Sequence, residues 1–135
     1  MTNSTLAMSY FAKAKSRLKL LSLLLADHNY SDVIRESQEI VELALKGMLR
    51  QVGIEPPKWH DVSELLISHK ERFPESIRPY MVRMAEISKW LRKERELAFY
   101  GDIDFIPSEE YTEEDAQRAI DDAIFVVQNI VFLIP

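Results

Sequence analysis

The residue types that most often carry chemistry are sparse in this chain, and their spacing excludes several reactions. The 135 residues contain no cysteine, which removes disulfides, thiolate metal sites and cysteine nucleophiles. His28, His60 and His69 form neither a His-Glu-x-x-His nor a Glu-x-x-His spacing, so no metal site is expected. Walker, G-x-G-x-x-G and G-x-S-x-G motifs are missing, and three glycines are too few to build a phosphate-cradling loop. No cofactor is expected. What remains is arginine chemistry: Arg92 and Arg95, followed by the run Phe99-Tyr100-Gly101-Asp102. An arginine set against apolar surface must pair with an acid or hold an anion at an interface.

Helices must position these side chains. Ala7, Phe11, Ala14, Leu18, Leu21 and Leu25 recur at alternating steps of four and three, which predicts an amphipathic helix of about 20 residues that stops at Asn29. Ser31 is the expected cap of a second helix, where Val33, Ser37, Val41, Ala44, Met48 and Val52 repeat the spacing until Gly53 ends it. The two should form an antiparallel hairpin. Pro56 and Pro57 impose a loop over 54–60, and Asp61 with Glu64 resembles a capping box that opens a short helix closed by Pro74. Pro79 suits the first turn of a fourth helix, which should end by Gly101. Thr112 with Asp115 caps a last helix bearing Ala116, Ile120, Ala123, Val127 and Ile130. No stretch alternates with period two. The expected fold is all-α, an antiparallel up-and-down helical bundle of four long helices plus one short helix, with residues 1–135 in one domain.

Projected at 100° per residue, Tyr80, Ile87, Leu91 and Ala98 fall within about 40° of one another, and Arg78, Lys89, Arg92 and Lys93 gather opposite them. Arg95 projects about 40° from Leu91, at the border of the apolar face. Its expected partner is Glu42 or the Asp102/Asp104 loop, and its functional reading is an anion-binding residue, doubled if the chain pairs across a two-fold axis. Trp59 and Trp90 read as core or interface aromatics. The net charge of −5 hides a split: residues 1–100 hold 16 basic and 13 acidic residues, net +3, whereas residues 101–135 hold one basic and nine acidic, net −8. A modestly basic body is compatible with a nucleotide or RNA partner. The most apolar stretch, Leu18 to Ala26, is broken by Lys19 and followed by no small-residue cleavage site. It is also too short for a membrane span, so a soluble cytoplasmic protein is expected.

The ordered set of segments resembles the HEPN (higher eukaryotes and prokaryotes nucleotide-binding) domains. The segments are the opening amphipathic helix, Tyr30-Ser31-Asp32, Glu42-Leu-Ala-Leu-Lys46, Gly53-Ile-Glu-Pro-Pro into His60-Asp61, and Arg95-Glu-Leu-Ala-Phe-Tyr100-Gly101-Asp102. The chain is also similar to the small archaeal HEPN proteins that partner minimal nucleotidyltransferases. The resemblance implies a homodimer, and in many members a metal-independent ribonuclease with an Arg-x4-6-His motif shared across the dimer. There arginine holds the phosphate and histidine assists proton transfer. Arg95 matches the arginine, but Tyr100 stands where the histidine would be. Tyrosine, with an ordinary pKa near 10, is a poor general base at neutral pH. The implied catalytic pair is therefore Arg95 with Tyr100, and the implied anion- or nucleotide-binding set is Arg92, Arg95 and Asp102. In toxin–antitoxin pairs of the family, the nucleotidyltransferase can modify a tyrosine two residues after the motif histidine, a position held here by Asp102. Three functions follow: a HEPN-like module that binds a nucleotidyltransferase partner, a nucleotide or RNA without cutting it; a ribonuclease toxin; or a structural helical adaptor.

Overall fold

The computed structural model describes residues 3–56, 58, 61–100 and 111–134, with the backbone alone at residues 3 and 97–100. The long helices are α1 (Asn3–Ala26), α2 (Tyr30–Gln51), α4 (Arg78–Tyr100) and α5 (Glu113–Asn129), and the short one is α3 (Val62–Ser68). Single 3-10 turns follow α3 at Lys70–Arg72 and α5 at Ile130–Leu133. The described residues contain no strand, and the fold is all-α as the helical spacing implies.

Side-chain pairs give the direction of each helix. Arg17 meets Glu39, and Phe11 lies beside Gly47, so α1 and α2 run antiparallel. Arg72, just before α4, donates from Nη2 to the Val52 carbonyl at 2.6 Å, whereas Arg95 near the other end of α4 reaches Glu39. α4 is therefore antiparallel to α2. Tyr111 binds Glu94, Arg118 lies 3.8 Å from the centre of the Trp90 ring and Arg83 4.0 Å from that of Phe125, which turns α5 back along α4. Trp90 is thus a partly buried interface aromatic under a guanidinium.

Most helix ends follow from local sequence, and two differ from expectation. Gly53 takes φ 81°, and the amides of Gly53 and Ile54 return to the Arg50 and Leu49 carbonyls at 3.0 and 2.9 Å. Thr112 and Asp115 exchange the two bonds of a capping box, at 3.2 and 2.9 Å. Between α1 and α2, however, the reversal falls at His28, whose φ of 59° lies in the left-handed region. Asn29 is the N-cap residue and α2 already begins at Tyr30, which leaves Ser31 inside the first turn and not at the cap. The compressed turn leaves no room for the extra residues that a cap at Ser31 needs, and a 2.8 Å hydrogen bond between His28 Nδ1 and the Tyr30 hydroxyl closes it. At α3, Asp61 accepts from the Ser63 amide at 2.9 Å and from its hydroxyl at 2.7 Å, so Ser63 takes the place expected for Glu64.

α2 is the central helix and packs on α1, α4 and α5. Its buried residues, from Val33 and Ile34 to Met48 and Leu49, sweep an arc of about 200° around the axis, about twice the stripe of an ordinary surface helix. The remaining strip carries Arg35, Glu36, Glu39, Glu42, Lys46 and Arg50. No helix among the described residues is long and apolar enough to cross a membrane.

The contact of Gly47 with Phe11 makes a test of sign. A Cβ on Gly47 would stand 2.7 Å and 2.9 Å from two ring carbons of the buried Phe11. In an exposed helix Gly→Ala stabilises by about 1 kcal/mol, but overpacking a core costs about 1–3 kcal/mol. Gly47→Ala is therefore expected to lower the stability in urea unfolding, and Gly47→Ala with Phe11→Leu to recover part of the loss.

Candidate anion-binding site

The buried row of α4 contains Met81, Met84, Ser88 and Leu91, at steps of three and four, and the next position in that row is Arg95. Arg95 therefore continues the middle of the buried face and does not sit at its border. Drawing the face through Tyr80 displaced it, because Tyr80 is only partly buried whereas Met81, Ala85 and Ser88 are buried. The row thus delivers a guanidinium where another methionine or leucine would extend the core.

Arg95 Nη2 donates to Glu39 Oε1 at 2.9 Å, and the other oxygen of that carboxylate accepts from Arg17 Nη1 at 3.1 Å. Arg17 Nε also lies 3.7 Å from Glu36 Oε1. Glu39 thus ties α1 and α4 together across the outer strip of α2. Of the partners expected for Arg95, this corrects Glu42. Glu42 instead accepts a hydrogen bond from Gln38 and lies 3.9 Å from Lys46, because it stands at the edge of the strip beside the buried Gln38. Asp102 and Asp104 lie outside the described residues, as do His60 and Trp59.

Arg92, three positions before Arg95 and so on a neighbouring face of the helix, reaches the other way, with Nη1 3.3 Å from Asp61 Oδ1. Burial raises the pKa of Asp61, but the two Ser63 hydrogen bonds, with Arg92 and Lys89 nearby, outweigh it and hold the carboxyl below its ordinary 3.8. Arg92 and Arg95 together line a cleft of about 360 Å³, walled also by Glu39, Glu42, Lys46 and Glu96. Three acids and three bases face one another there. One donor is left over: Arg95 Nε is buried and has no hydrogen-bond partner among the described residues, a cost that an incoming acceptor would remove.

Such an arrangement can hold an oxyanion between two guanidiniums a helical turn apart. Among the described residues it offers no imidazole, since neither His28 nor His69 lines the cleft. Tyr100 closes α4 five residues after Arg95, and its side chain lies outside the described set, so the pair of Arg95 with Tyr100 is not placed. Among the described residues, no group of three or more His, Asp or Glu could hold a metal ion. The sequence reading missed Glu39, Arg17 and Lys46. For Glu39 and Lys46 the signal was the charged strip of α2, on a helix buried over more than half its circumference; Arg17, on α1, had no such signal. Beyond the cleft, Tyr111 donates to the Glu94 carboxylate at 2.9 Å and its backbone carbonyl at 3.0 Å, anchoring the return of the chain next to Arg95. Burial and the Glu94 carboxylate push the Tyr111 hydroxyl well above the ordinary tyrosine range.

The HEPN domain profile matches residues 7–131, and the chain belongs to the HEPN domain family. A relative from Methanocaldococcus jannaschii, designated "Putative toxin MJ1304", is 26% identical over 135 residues, covering 95% of this chain and 88% of the relative. No solved structure matches the chain.

Asp61 links the cleft to stability. Its pKa is lower in the folded chain, so its contribution is present above the unfolded value of 3.8 and is lost as pH falls through the folded value. Asp61→Ala is expected to cost about 1 kcal/mol at pH 7, mostly as a lost cap, with the gap from wild type closing as pH falls below 3.8 and through the lower folded value. A gap that stays constant with pH in thermal unfolding would show that the carboxylate charge is not what stabilises α3.

Proposed function

We propose that this HEPN protein binds the phosphate groups of RNA or a nucleotide through the Arg92–Arg95 cleft and does not cut RNA. The observation that carries the reading is the buried, unpartnered Nε of Arg95 beside a second guanidinium in a cleft of about 360 Å³. Two guanidiniums match the oxygens of a phosphate, and none of the described residues lining the cleft is a histidine that could move a proton. Tyr100 at the motif position supports the same conclusion. The family resemblance extends the reading to a homodimer that pairs with a minimal nucleotidyltransferase in the cytoplasm.

The relative's designation as a toxin favours a second reading, a metal-independent endoribonuclease that uses Arg95 and Tyr100. Incubation with a short fluorescein-labelled oligouridine separates the two, with anisotropy reporting binding and a gel reporting integrity. The proposed function expects bound, intact RNA, and a loss of affinity of about tenfold in Arg95→Ala, the size of one charge-assisted contact. Competition by ATP would show that a free nucleotide suffices. Cleavage that Arg95→Ala abolishes would establish the second reading, and unchanged binding by Arg95→Ala would remove the cleft from both.

A further inference from the structure

The anion site is already occupied by an anion from the chain itself. Glu39 holds the Nη2 of Arg95 at 2.9 Å, the atom a phosphate oxygen would take, while Arg17 holds the same carboxylate from the opposite side at 3.1 Å. We propose that Glu39 is an internal occupant of the phosphate site and Arg17 its exchange partner, so that an incoming phosphate takes Arg95 as Glu39 retires onto Arg17. This rests on the proposed phosphate-binding role of the cleft.

Three observations support the exchange. First, the contact is of a strength that a ligand can displace. Both side chains of the Arg95–Glu39 pair are more than a third exposed, at 40% and 38%, and exposed pairs contribute little. Second, displacement leaves no charge stranded, because Glu39 keeps Arg17, and Arg17 also has Glu36 within 3.7 Å. A carboxylate with one partner would be left uncompensated beside the apolar seam, and the exchange would be costly. Third, the clasp is asymmetric on Arg95, which uses one terminal nitrogen for Glu39 and leaves Nε buried without a partner. A phosphate can engage both nitrogens together, which a single Glu39 oxygen does not. Glu39 therefore sets a threshold: it excludes weak monovalent anions and yields to a ligand with two oxygens in reach. Glu42, in the same cleft, is bound by Gln38 and Lys46, whereas Glu39 holds Arg95, which makes Glu42 the comparison for cleft charge alone.

The same oligouridine anisotropy measurement, applied to four further variants of the full chain, tests the clasp. Glu39→Gln keeps the shape and removes the competing charge, and is expected to tighten binding by about threefold to tenfold. Glu42→Gln removes the same charge from the wall of the cleft without freeing an arginine, so its gain should be well below that of Glu39→Gln. Arg17→Ala should weaken binding by about twofold to threefold in the wild-type background and leave it unchanged in the Glu39→Gln background, since no clasp remains to shift. Equal gains from Glu39→Gln and Glu42→Gln, or an Arg17→Ala loss of the same size in both backgrounds, would overturn the exchange and reduce the effect to long-range charge. Those results would leave the binding site standing if Arg95→Ala still lost affinity. Loss of the Arg95→Ala effect in every background would bring down the phosphate reading and the exchange together.

Discussion

α2 has to bury about 200° of its circumference to pack against three other long helices at once, and the bundle is arranged around that demand. Its charged side chains are confined to the narrow strip that remains. α1 borders that strip on one side and α4 on the other, and each offers one arginine to it, Arg17 and Arg95. Glu39 lies between them and takes both. The candidate site is thus a product of packing: the seam is where apolar layers end, and where carboxylates and guanidiniums can meet without being fully desolvated.

The same geometry explains why arginine serves here and lysine would not. A planar guanidinium has several donors in fixed directions, so Arg95 can hold Glu39 with a terminal nitrogen and still keep Nε uncommitted. Arg92, in turn, is not held by α2 at all. It rests on Asp61, the residue that starts α3, so the loop before α3 and the cleft share one carboxylate. Tyr111 performs a related service on the far side by fastening the chain to Glu94, next to Arg95. The acidic C-terminal third that sets the low net charge is thus joined to α4 by Tyr111 at Glu94, and its acids crowd the first turn of α5, where the helix dipole favours them.

The helices were legible because a helix is written in local spacing. Phe11, Leu21, Val41, Met48 and Leu91 were expected to face inward, and all are buried. Gly53 and the Thr112–Asp115 box were legible for the same reason: each is satisfied within a few residues. The cap at Ser31 failed because a left-handed His28 compresses the turn, and a histidine marks that conformation far more weakly than a glycine does. The partner of Arg95 failed for a different reason. Glu39 is 56 positions away, and choosing it over Glu42 depends on how α1 and α4 border α2. A shift of about 50° in the buried face of α4, caused by Met81 and Ser88, decided the matter. Local pattern fixes which residues face inward; it does not fix which two meet.

The most direct measurement is a crystal structure of the protein soaked or grown with a short oligouridine. The account expects a phosphate within hydrogen-bond distance of Arg95 Nε and Nη2, with Arg92 beside it and the Glu39 carboxylate turned onto Arg17 alone. Phosphate density elsewhere, with the Arg95–Glu39 pair intact at its 2.9 Å separation, would contradict it.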